Sequence, residues 1–226
     1  MTTNPLPATA AGLTAARRGL EALALGDAFG ERWFPLFRER RQAVNEIRAR
    51  RTPQEPLWHW TDDTALELAL QRSLDERGLV DQDHLALCYA LAFDADQARG
   101  YGHGMHLLLP QLLAAPADWR ALAPGLLDGG SLGNGAAMRV APLGARFHED
   151  LDRVAEQAVL SAAVTHAHPD GIAGAVAVAV AAALWATAEG FGDVDTTCAI
   201  TGGVVGAATG TAGAPEEWLR RREPLG

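Results

Sequence analysis

The sequence predicts an all-α protein. Apolar residues recur at the three- and four-residue spacing of helices in several segments, and strand-like alternation of any convincing length is not found. Short stretches of Gly, Pro and Asp separate these segments, as expected of loops between helices. With 226 residues, of which 48% are hydrophobic, the chain can bury a sizeable core. We therefore expect a single domain that spans residues 1–226.

Each predicted helix is assigned from its apolar spacing. In chain order they are Leu13–Leu25, Ala65–Leu74, His84–Phe93, Met105–Leu113, Leu151–Val164, Ile172–Ala188 and Cys198–Ala208. Thr64 and Glu67 have the spacing of a capping box, which predicts a helix start at Thr64. The segment Ile172–Ala188 approaches the length of a membrane span, but it is rich in alanine and begins beside His166, His168 and Asp170. We interpret it as a buried helix of a soluble protein.

The two ends of the chain carry weaker signals. Residues 1–12 are predicted to be a loose arm, and they lack the charged start and apolar block of a signal peptide. Residues 211–226 are predicted to be a polar C-terminal tail, with a short helix pinned by Trp218 as the alternative. The arginine-rich segment Arg38–Arg51 is interpreted as a solvated helix face rather than a docking surface.

Composition limits the partners and the compartment. The formal charge of −9 and the pI near 5.2 argue against nucleic acid and anionic membranes, which select basic proteins. Cys88 and Cys198 are too few for a disulfide framework, so a reducing, cytoplasmic setting is expected. An oligomer is compatible with this composition.

Two acidic clusters are the main candidates for chemistry. Thr61, Asp62, Asp63 and Thr64 precede one predicted helix, and Asp193, Asp195 and Thr196 precede another. Carboxylate and hydroxyl oxygens are the ligands that Mg²⁺ and Mn²⁺ prefer, so the two clusters together indicate a site for two divalent cations. The alternative is that these residues only cap their helices, since Asp and Thr are common at helix starts.

Glycine-rich segments supply candidate ligand-binding loops. Gly100, Tyr101, Gly102, His103 and Gly104 lead into a predicted helix, an arrangement that suits phosphate oxygens. A second loop contains Ser131, Gly133 and Asn134, with Asn134 able to bind a sugar or a base, although turn glycines explain this segment equally well.

His166 and His168 lie two residues apart, so they do not share a helix face. A histidine that hydrogen-bonds a ligand, or one that caps the following helix, is more plausible than a metal ligand.

The order of these motifs resembles the ADP-ribosylglycohydrolase family, which includes the dinitrogenase reductase-activating glycohydrolases. The resemblance spans nearly the whole chain. The matching segments are residues 26–30 (GDAFG), 60–64 (WTDDT), 99–102 (RGYG), 133–139 (GNGAAMR), 165–166 (TH) and 192–196 (GDVDT). Any one of them is unspecific, but all in the same order are hard to obtain by chance.

The resemblance implies a compact orthogonal helical bundle with a binuclear Mg²⁺ or Mn²⁺ centre. It implies that the metals are held by Thr61, Asp62, Asp63, Asp193, Asp195 and Thr196. It further implies that the diphosphate of ADP-ribose binds at Gly100–Gly104, that Ser131, Gly133 and Asn134 contact the ribose, and that His166 is the active-site histidine. The expected substrate is an ADP-ribosylated protein or small molecule, with arginine the favoured acceptor and Asp62 or Asp63 the base.

This sequence departs from the family pattern in two places. Some relatives carry an active-site glutamate four residues after the first motif, where this chain has Phe34, so Glu31 is the candidate substitute. Glu31 and a metal-bound water are the two candidate proton donors. The chain is also shorter than expected between the Thr165-His166 motif and Gly192. The alternatives to a glycohydrolase are another metal-dependent nucleotide phosphohydrolase and an inactive ADP-ribose-binding relative.

Overall fold

A computed structural model describes residues 8–34, 39–148, 150–181, 199, 203 and 216–225. Within these residues the protein is all-α, as predicted, and the backbone pairing outside helices amounts to an isolated bridge between Trp58 and Arg222. The α-helices are α1 (Ala10–Glu31), α2 (Arg40–Arg48), α3 (Asp62–Arg77), α4 (Gln82–Ala95), α5 (His103–Ala114), α6 (Trp119–Gly125), α7 (Ala141–Arg146), α8 (Leu151–Ala163), α9 (Pro169–Ala181) and α10 (Glu216–Arg221).

Side-chain caps fix where several helices begin. The Thr9 hydroxyl accepts a hydrogen bond from the Gly12 N–H at 3.1 Å, and the Asp81 carboxylate accepts one from the His84 N–H at 3.1 Å. Such caps satisfy backbone donors that the first helical turn leaves without partners. α3 ends at Gly78, whose φ of +82° turns the chain out of the helix.

The helices pack into one shared core. α1 lies against α7 and α3, α3 against α4, α4 against α5, and α8 against α9. The largest buried apolar side chains of this core include Leu66, Leu70, Leu74, Tyr89, Leu108, Leu109, Leu112 and Leu143. Gly144 lets α7 approach α9 directly, because a Cβ at this position would collide with the backbone of Ala179.

The helix predictions agree with the structure wherever it describes the segment. The predicted helices from Leu13–Leu25 through Met105–Leu113 correspond to α1, α3, α4 and α5, and the next two correspond to α8 and to α9 as far as Ala181. Most of Cys198–Ala208 lies outside the described residues. α6 and α7 were not predicted, because each is short and contains a proline.

The structure describes part of each segment that was expected to be an arm or a tail. α1 begins at Ala10, inside the segment that was expected to be a loose arm. The expected C-terminal tail contains α10, and the ring of Trp218 stacks on Phe29 of α1 with centroids 4.8 Å apart. Across the described ranges, no helix combines the length and hydropathy needed to cross a membrane.

Candidate functional site

A cavity of about 320 Å³ opens where the N-termini of α3 and α5 meet the loop before α7 and the end of α8. Its walls combine acidic, glycine-rich and apolar elements. The lining residues are Asp62, Asp63, Leu66, Gly100, Gly102, His103, Gly104, Met105, Leu127, Ser131, Gly133, Asn134, Gly135, Met138 and His166.

The acidic wall of the cavity is the first turn of α3. Thr61 is the N-cap of this helix, and its hydroxyl lies 3.4 Å from the N–H of Asp63 and 3.1 Å from the Asp63 carboxylate. The N–H of Asp62 donates to the carbonyl of Arg99 at 2.8 Å. Because this bond joins α3 to the residue before Gly100, the acidic cluster and the glycine loop are held side by side.

Asp27 of α1 holds the first turn of α3 in place through hydrogen bonds. Its fully buried carboxylate accepts hydrogen bonds from the N–H and hydroxyl of Thr61, both at 2.8 Å, and from the N–H and hydroxyl of Thr64 at 3.1 and 2.6 Å. Burial raises the pKa of Asp27 to about 6, although the hydrogen bonds from Thr64 and Thr61 act in the opposite direction. A residue of α1 therefore fixes the position of the acidic cluster.

The predicted capping box at Thr64 and Glu67 is wrong. α3 starts three residues earlier, with Thr61 as its cap, and Thr64 lies inside the helix with its N–H bound by Asp27. Glu67 is fully buried and accepts a hydrogen bond from Gln71 at 2.7 Å. Burial holds the pKa of Glu67 well above its usual range.

The glycine loop ends at the start of α5. Gly102 is the N-cap, and its carbonyl accepts the first helical hydrogen bond from Met105 at 2.9 Å. The N–H groups of His103 and Gly104 belong to the first turn, which has no carbonyl partners within the helix and favours anions. Unlike the other residues of this loop, Tyr101 does not line the cavity. Its ring is buried against Phe93, with ring centroids 4.9 Å apart.

The opposite wall is built around His166. The loop before α7 passes so close to its imidazole that a Cβ at Gly135 would lie 2.7 Å from Nε2. Ser131 accepts a hydrogen bond from the N–H of Gly133 at 3.3 Å, which holds the same loop in a turn. His168 does not line the cavity, and its ring instead accepts a hydrogen bond from the N–H of Asp170 in the first turn of α9.

A buried polar chain lies behind His166. Arg139 donates to the hydroxyl of Thr165 at 2.7 Å, and that hydroxyl lies 2.8 Å from Nδ1 of His166. The Arg139 guanidinium also lies over the ring of Tyr89, 4.2 Å from its centroid. Burial, with a contribution from the Arg139 charge, lowers the pKa of His166 to about 3. The imidazole is therefore neutral at physiological pH.

The structure brings most of the predicted site residues together. Asp62, Asp63, Gly100, Gly102, His103, Gly104, Ser131, Gly133, Asn134 and His166 share one cavity. Thr61 supports it from behind, while the Tyr101 ring points into the core. Glu31, at the end of α1, does not line the cavity and forms an ion pair with Arg32 at 3.1 Å. Asp193, Asp195 and Thr196 lie outside the described residues.

The described part of the candidate metal site has the oxygen chemistry that suits Mg²⁺ or Mn²⁺. Asp62 and Asp63 line one wall of the cavity, and the Thr61 hydroxyl lies beside them. Among the residues that the structure describes, no group of three or more His, Cys, Asp or Glu side chains is arranged as a metal site.

Sequence reasoning assigned no role to Asp27, Thr165 or Arg139. All three belong to segments that carry the family resemblance, and Arg139 ends the second glycine-rich loop. Their contribution depends on contacts between residues far apart in the chain, 34 residues for Asp27 and Thr61 and 26 for Arg139 and Thr165. The sequence offered one signal for such a role, namely a charged residue, Asp27, within an apolar helical segment.

A family model for ADP-ribosylglycohydrolases matches residues 9–191 and 181–224 of this chain. The two matched pieces overlap at residues 181–191, which lie between His166 and Gly192.

Similar proteins include ADP-ribosylhydrolase ARH3 of Homo sapiens, which is 38% identical over 125 residues, or 54% of this chain and 34% of that protein. An uncharacterized protein of Archaeoglobus fulgidus is 35% identical over 171 residues, or 74% of this chain and 54% of that protein. The matched region thus spans between a third and about half of these relatives. A solved structure described as an ADP-ribosylglycohydrolase-related protein complex has the same fold, with a TM-score of 0.65 at 21% identity, and the alignment covers 96% of this chain and 95% of that chain.

Proposed function

Because this chain belongs to the ADP-ribosylglycohydrolase family, we propose that it is a metal-dependent hydrolase that removes ADP-ribose from a modified acceptor. The observation that carries the proposal is the shared cavity, in which the acidic start of α3 faces His166 across two glycine-rich loops. The lining residues suit ADP-ribose, because they offer backbone N–H groups for its diphosphate and polar side chains for its ribose. The carboxylates suit divalent cations.

The first turn of α5 is the best place for the diphosphate. The N–H groups of His103 and Gly104 lie at the positive end of the helix and line the cavity. Gly100, with φ of +87°, lets the loop turn tightly beside Asp62. Ser131 and Asn134 on the opposite wall would then face the ribose, because they lie across the same cavity.

Asp62 and Asp63 would hold the cations, together with Thr61 and the residues Asp193, Asp195 and Thr196 outside the described structure. Divalent cations bound there would supply Lewis-acid chemistry to the ribose hydroxyls and to a water molecule. These oxygen ligands favour Mg²⁺ or Mn²⁺ over Zn²⁺, which prefers histidine and cysteine.

The reaction would break the bond between ribose C1″ and the acceptor. Water adds hydroxide to C1″, and its proton passes first to a carboxylate base. We assign the base role to Asp62, because Asp63 is nearly fully buried and lies against the Thr61 hydroxyl. The acceptor nitrogen keeps the electron pair of the broken C1″–N bond and receives the proton that Asp62 took from water, so the step is balanced. The negative charge of the acidic wall stabilises the oxocarbenium-like transition state.

Arginine is the acceptor that we propose, through an N-glycosidic bond. A guanidinium group is complementary to a chain with a formal charge of −9 and to a cavity with adjacent carboxylates at its wall. A guanidine is a poor leaving group unless it is protonated. Negatively charged carboxylates beside it favour the protonated form and therefore help it to leave.

Release of free ADP-ribose from arginine-ADP-ribosylated protein, with Mn²⁺ or Mg²⁺ and with EDTA, tests the proposal. We expect cation-dependent release that falls by about a hundredfold or more in Asp62→Asn, because the variant loses both a ligand and the base. Asp94→Asn is the matched control, since Asp94 is an exposed carboxylate on α4. Glu31→Gln should cost less than Asp62→Asn, because Glu31 does not line the cavity.

The outcomes separate the competing functions. Equal activity of Asp62→Asn and the wild type would contradict the site assignment. Binding of ADP-ribose without any release would indicate an inactive binding protein, a reading that the shortened region before Gly192 favours. Release of nucleoside monophosphate from ADP-ribose would instead indicate a phosphohydrolase.

A further inference from the structure

The Nε2 edge of His166 lies beside Gly133 and Gly135, two residues that line the cavity. A Cβ placed on Gly133 would lie 3.8 Å from Nε2, and one placed on Gly135 would lie 2.7 Å from it. Nδ1 faces the opposite way, toward Thr165. A neutral imidazole carries one proton, so its tautomer decides whether the cavity receives an N–H donor or a lone pair.

The neighbours of Thr165 determine that tautomer. Arg139 can only donate, so its 2.7 Å hydrogen bond to the Thr165 hydroxyl uses a lone pair of that oxygen. The hydroxyl proton must therefore point elsewhere. Within the described part of the chain, Nδ1 of His166, at 2.8 Å, is the other hydrogen-bonding neighbour of this hydroxyl. The hydroxyl has a second lone pair that could accept from Nδ1–H, but its own buried proton would then have no acceptor within the described part of the chain. The arrangement that satisfies every group has the hydroxyl donating to Nδ1 and the imidazole proton on Nε2.

Burial makes this arrangement rigid. Arg139 and Thr165 have no exposed surface, and His166 is 5% exposed. The guanidinium cannot turn away without losing its contact with the face of Tyr89. Protonation of both nitrogens is opposed by burial and by the Arg139 charge, which together lower the pKa of His166 to about 3.

We infer that Arg139 and Thr165 are positioning residues that fix His166 as the Nε2–H tautomer, so that His166 donates a hydrogen bond to an oxygen atom of the ligand. The identity of that ligand as ADP-ribose rests on the proposed function. A nitrogen that carries a proton has no lone pair for a cation, so His166 binds the ligand and does not coordinate metal. The inference concerns how the site selects an oxygen acceptor, a hydroxyl or a phosphate.

The tautomer can be measured without any ligand. Long-range ¹H–¹⁵N correlation spectra of the ¹⁵N-labelled full chain, with His166→Gln to assign the signals, report which ring nitrogen is protonated. We expect a protonated Nε2 and an unprotonated Nδ1 between pH 8 and pH 5. A protonated Nδ1, or an imidazolium in this range, would overturn the inference.

The hydrogen-bond relay runs from Arg139 through Thr165 to His166. Thr165→Val and Thr165→Ser test this relay through binding of ADP-ribose. Valine keeps the shape of threonine but removes the hydroxyl, so we expect a loss of the single tautomer and about tenfold weaker binding. Serine keeps the hydroxyl and should retain both within about twofold. A valine variant that keeps the Nε2–H tautomer and wild-type affinity would refute the role of Thr165.

The two measurements fail independently. If the wild type does not bind ADP-ribose, the proposed function and the identity of the ligand are wrong, while the spectra still decide the tautomer. If Thr165→Val does not fold, the wild-type spectrum and the Thr165→Ser variant decide the inference, because serine must then preserve the tautomer that the relay requires.

Discussion

The buried carboxylate of Asp27 positions the acidic cluster, although Asp27 does not line the cavity. Its two oxygens receive four hydrogen bonds from Thr61 and Thr64, and Thr61 is the cap of the helix that carries Asp62 and Asp63. Such hydrogen bonds to a charged acceptor are stronger than neutral ones, but they offset only part of the cost of burying the charge, because the pKa of Asp27 is still raised to about 6. The acidic cluster thus depends on a residue of a different helix.

Replacing Asp27 with alanine should strongly destabilise the protein. The change leaves two N–H groups and two hydroxyls without their buried acceptor, so we expect a loss of about 3–5 kcal/mol in the free energy of unfolding. Asp27→Asn should cost less, because the amide oxygen can replace Oδ2 and the amide group can donate to the Thr61 hydroxyl. Urea denaturation measures both.

Asp94→Ala is the control for this experiment, because it removes an exposed carboxylate from α4. We expect it to change the free energy of unfolding by less than about 0.5 kcal/mol. An Asp27→Ala variant as stable as Asp94→Ala would show that the four hydrogen bonds contribute little to the fold.

His166 should make stability depend on pH. Its folded pKa of about 3 lies below its ordinary value of 6.5, so the unfolded chain binds a proton that the folded chain excludes. The stabilisation is complete above pH 6.5 and is lost progressively as the pH falls toward 3. Between pH 7.5 and pH 5 the loss should be about 2 kcal/mol.

His166→Gln isolates this effect from the other titrating groups. We expect the wild type to lose about 2 kcal/mol more than the variant over the same pH range, measured as the difference between their free energies of unfolding. Parallel pH profiles for the two proteins would mean that His166 has an ordinary pKa in the folded state.

The C-terminal segment, residues 216–225, contacts both the loop that leads into α3 and Arg99. Trp218 of α10 stacks on Phe29, and the N–H of Glu223 donates to the carbonyl of Trp58 at 2.8 Å. The Glu223 carboxylate binds Arg99 in bidentate fashion, at 2.7 and 2.9 Å. Since the carbonyl of Arg99 holds the N–H of Asp62, this segment supports the acidic wall of the cavity.

Glu223→Gln should loosen that support. Arg99 and Glu223 are 17% and 20% exposed, so their ion pair is shielded from solvent, and we expect a loss of about 1 kcal/mol in stability. The backbone N–H of Asp62 should also exchange with solvent faster, because its acceptor is held less firmly. Denaturation and amide hydrogen exchange measure these two effects.

Glu217→Gln provides the comparison within α10. Glu217 pairs with Arg221 at 2.7 Å but is 52% exposed, so its loss should cost less and leave exchange at Asp62 unchanged. If the two variants are indistinguishable at Asp62, the C-terminal segment does not support the acidic wall.

The helices that could be predicted from the sequence are those with long, local apolar patterns. α3, α4 and α5 follow from spacing alone, and the loop before α5 was correctly expected to open onto a helix. The exact start of α3 could not be predicted, because the acceptor that binds the N–H of Thr64 is Asp27 on α1. The docking of α10 depends on Phe29, which local pattern cannot identify.

The candidate site was predictable where its residues lie in short motifs. The acidic cluster, the two glycine loops and His166 were all identified in the sequence, and all contribute to one cavity. The residues that set their geometry were not, since Arg139 and Asp27 act through long-range contacts. Sequence reasoning therefore finds groups that can touch a ligand more readily than groups that hold them.

The overall charge of the protein is compatible with the proposed binding of divalent cations. The chain carries a formal charge of −9, and adjacent carboxylates at Asp62 and Asp63 repel each other where they line the cavity. A divalent cation held there, as we propose, would reduce this repulsion, and it would bind the folded state better than the unfolded chain, where the ligands are dispersed. Cation binding should therefore be visible as added stability.

We expect Mn²⁺ to raise the midpoint of thermal unfolding and EDTA to reverse the change. At a free concentration of 100 times the dissociation constant, the gain should be about 2.7 kcal/mol. Asp62→Asn should lose most of this gain, because it removes a charged ligand, whereas Asp94→Asn should keep it. If Asp62→Asn responds to Mn²⁺ as the wild type does, the stabilising cation binds elsewhere, and the cavity must work by a chemistry that does not use Asp62 as a ligand.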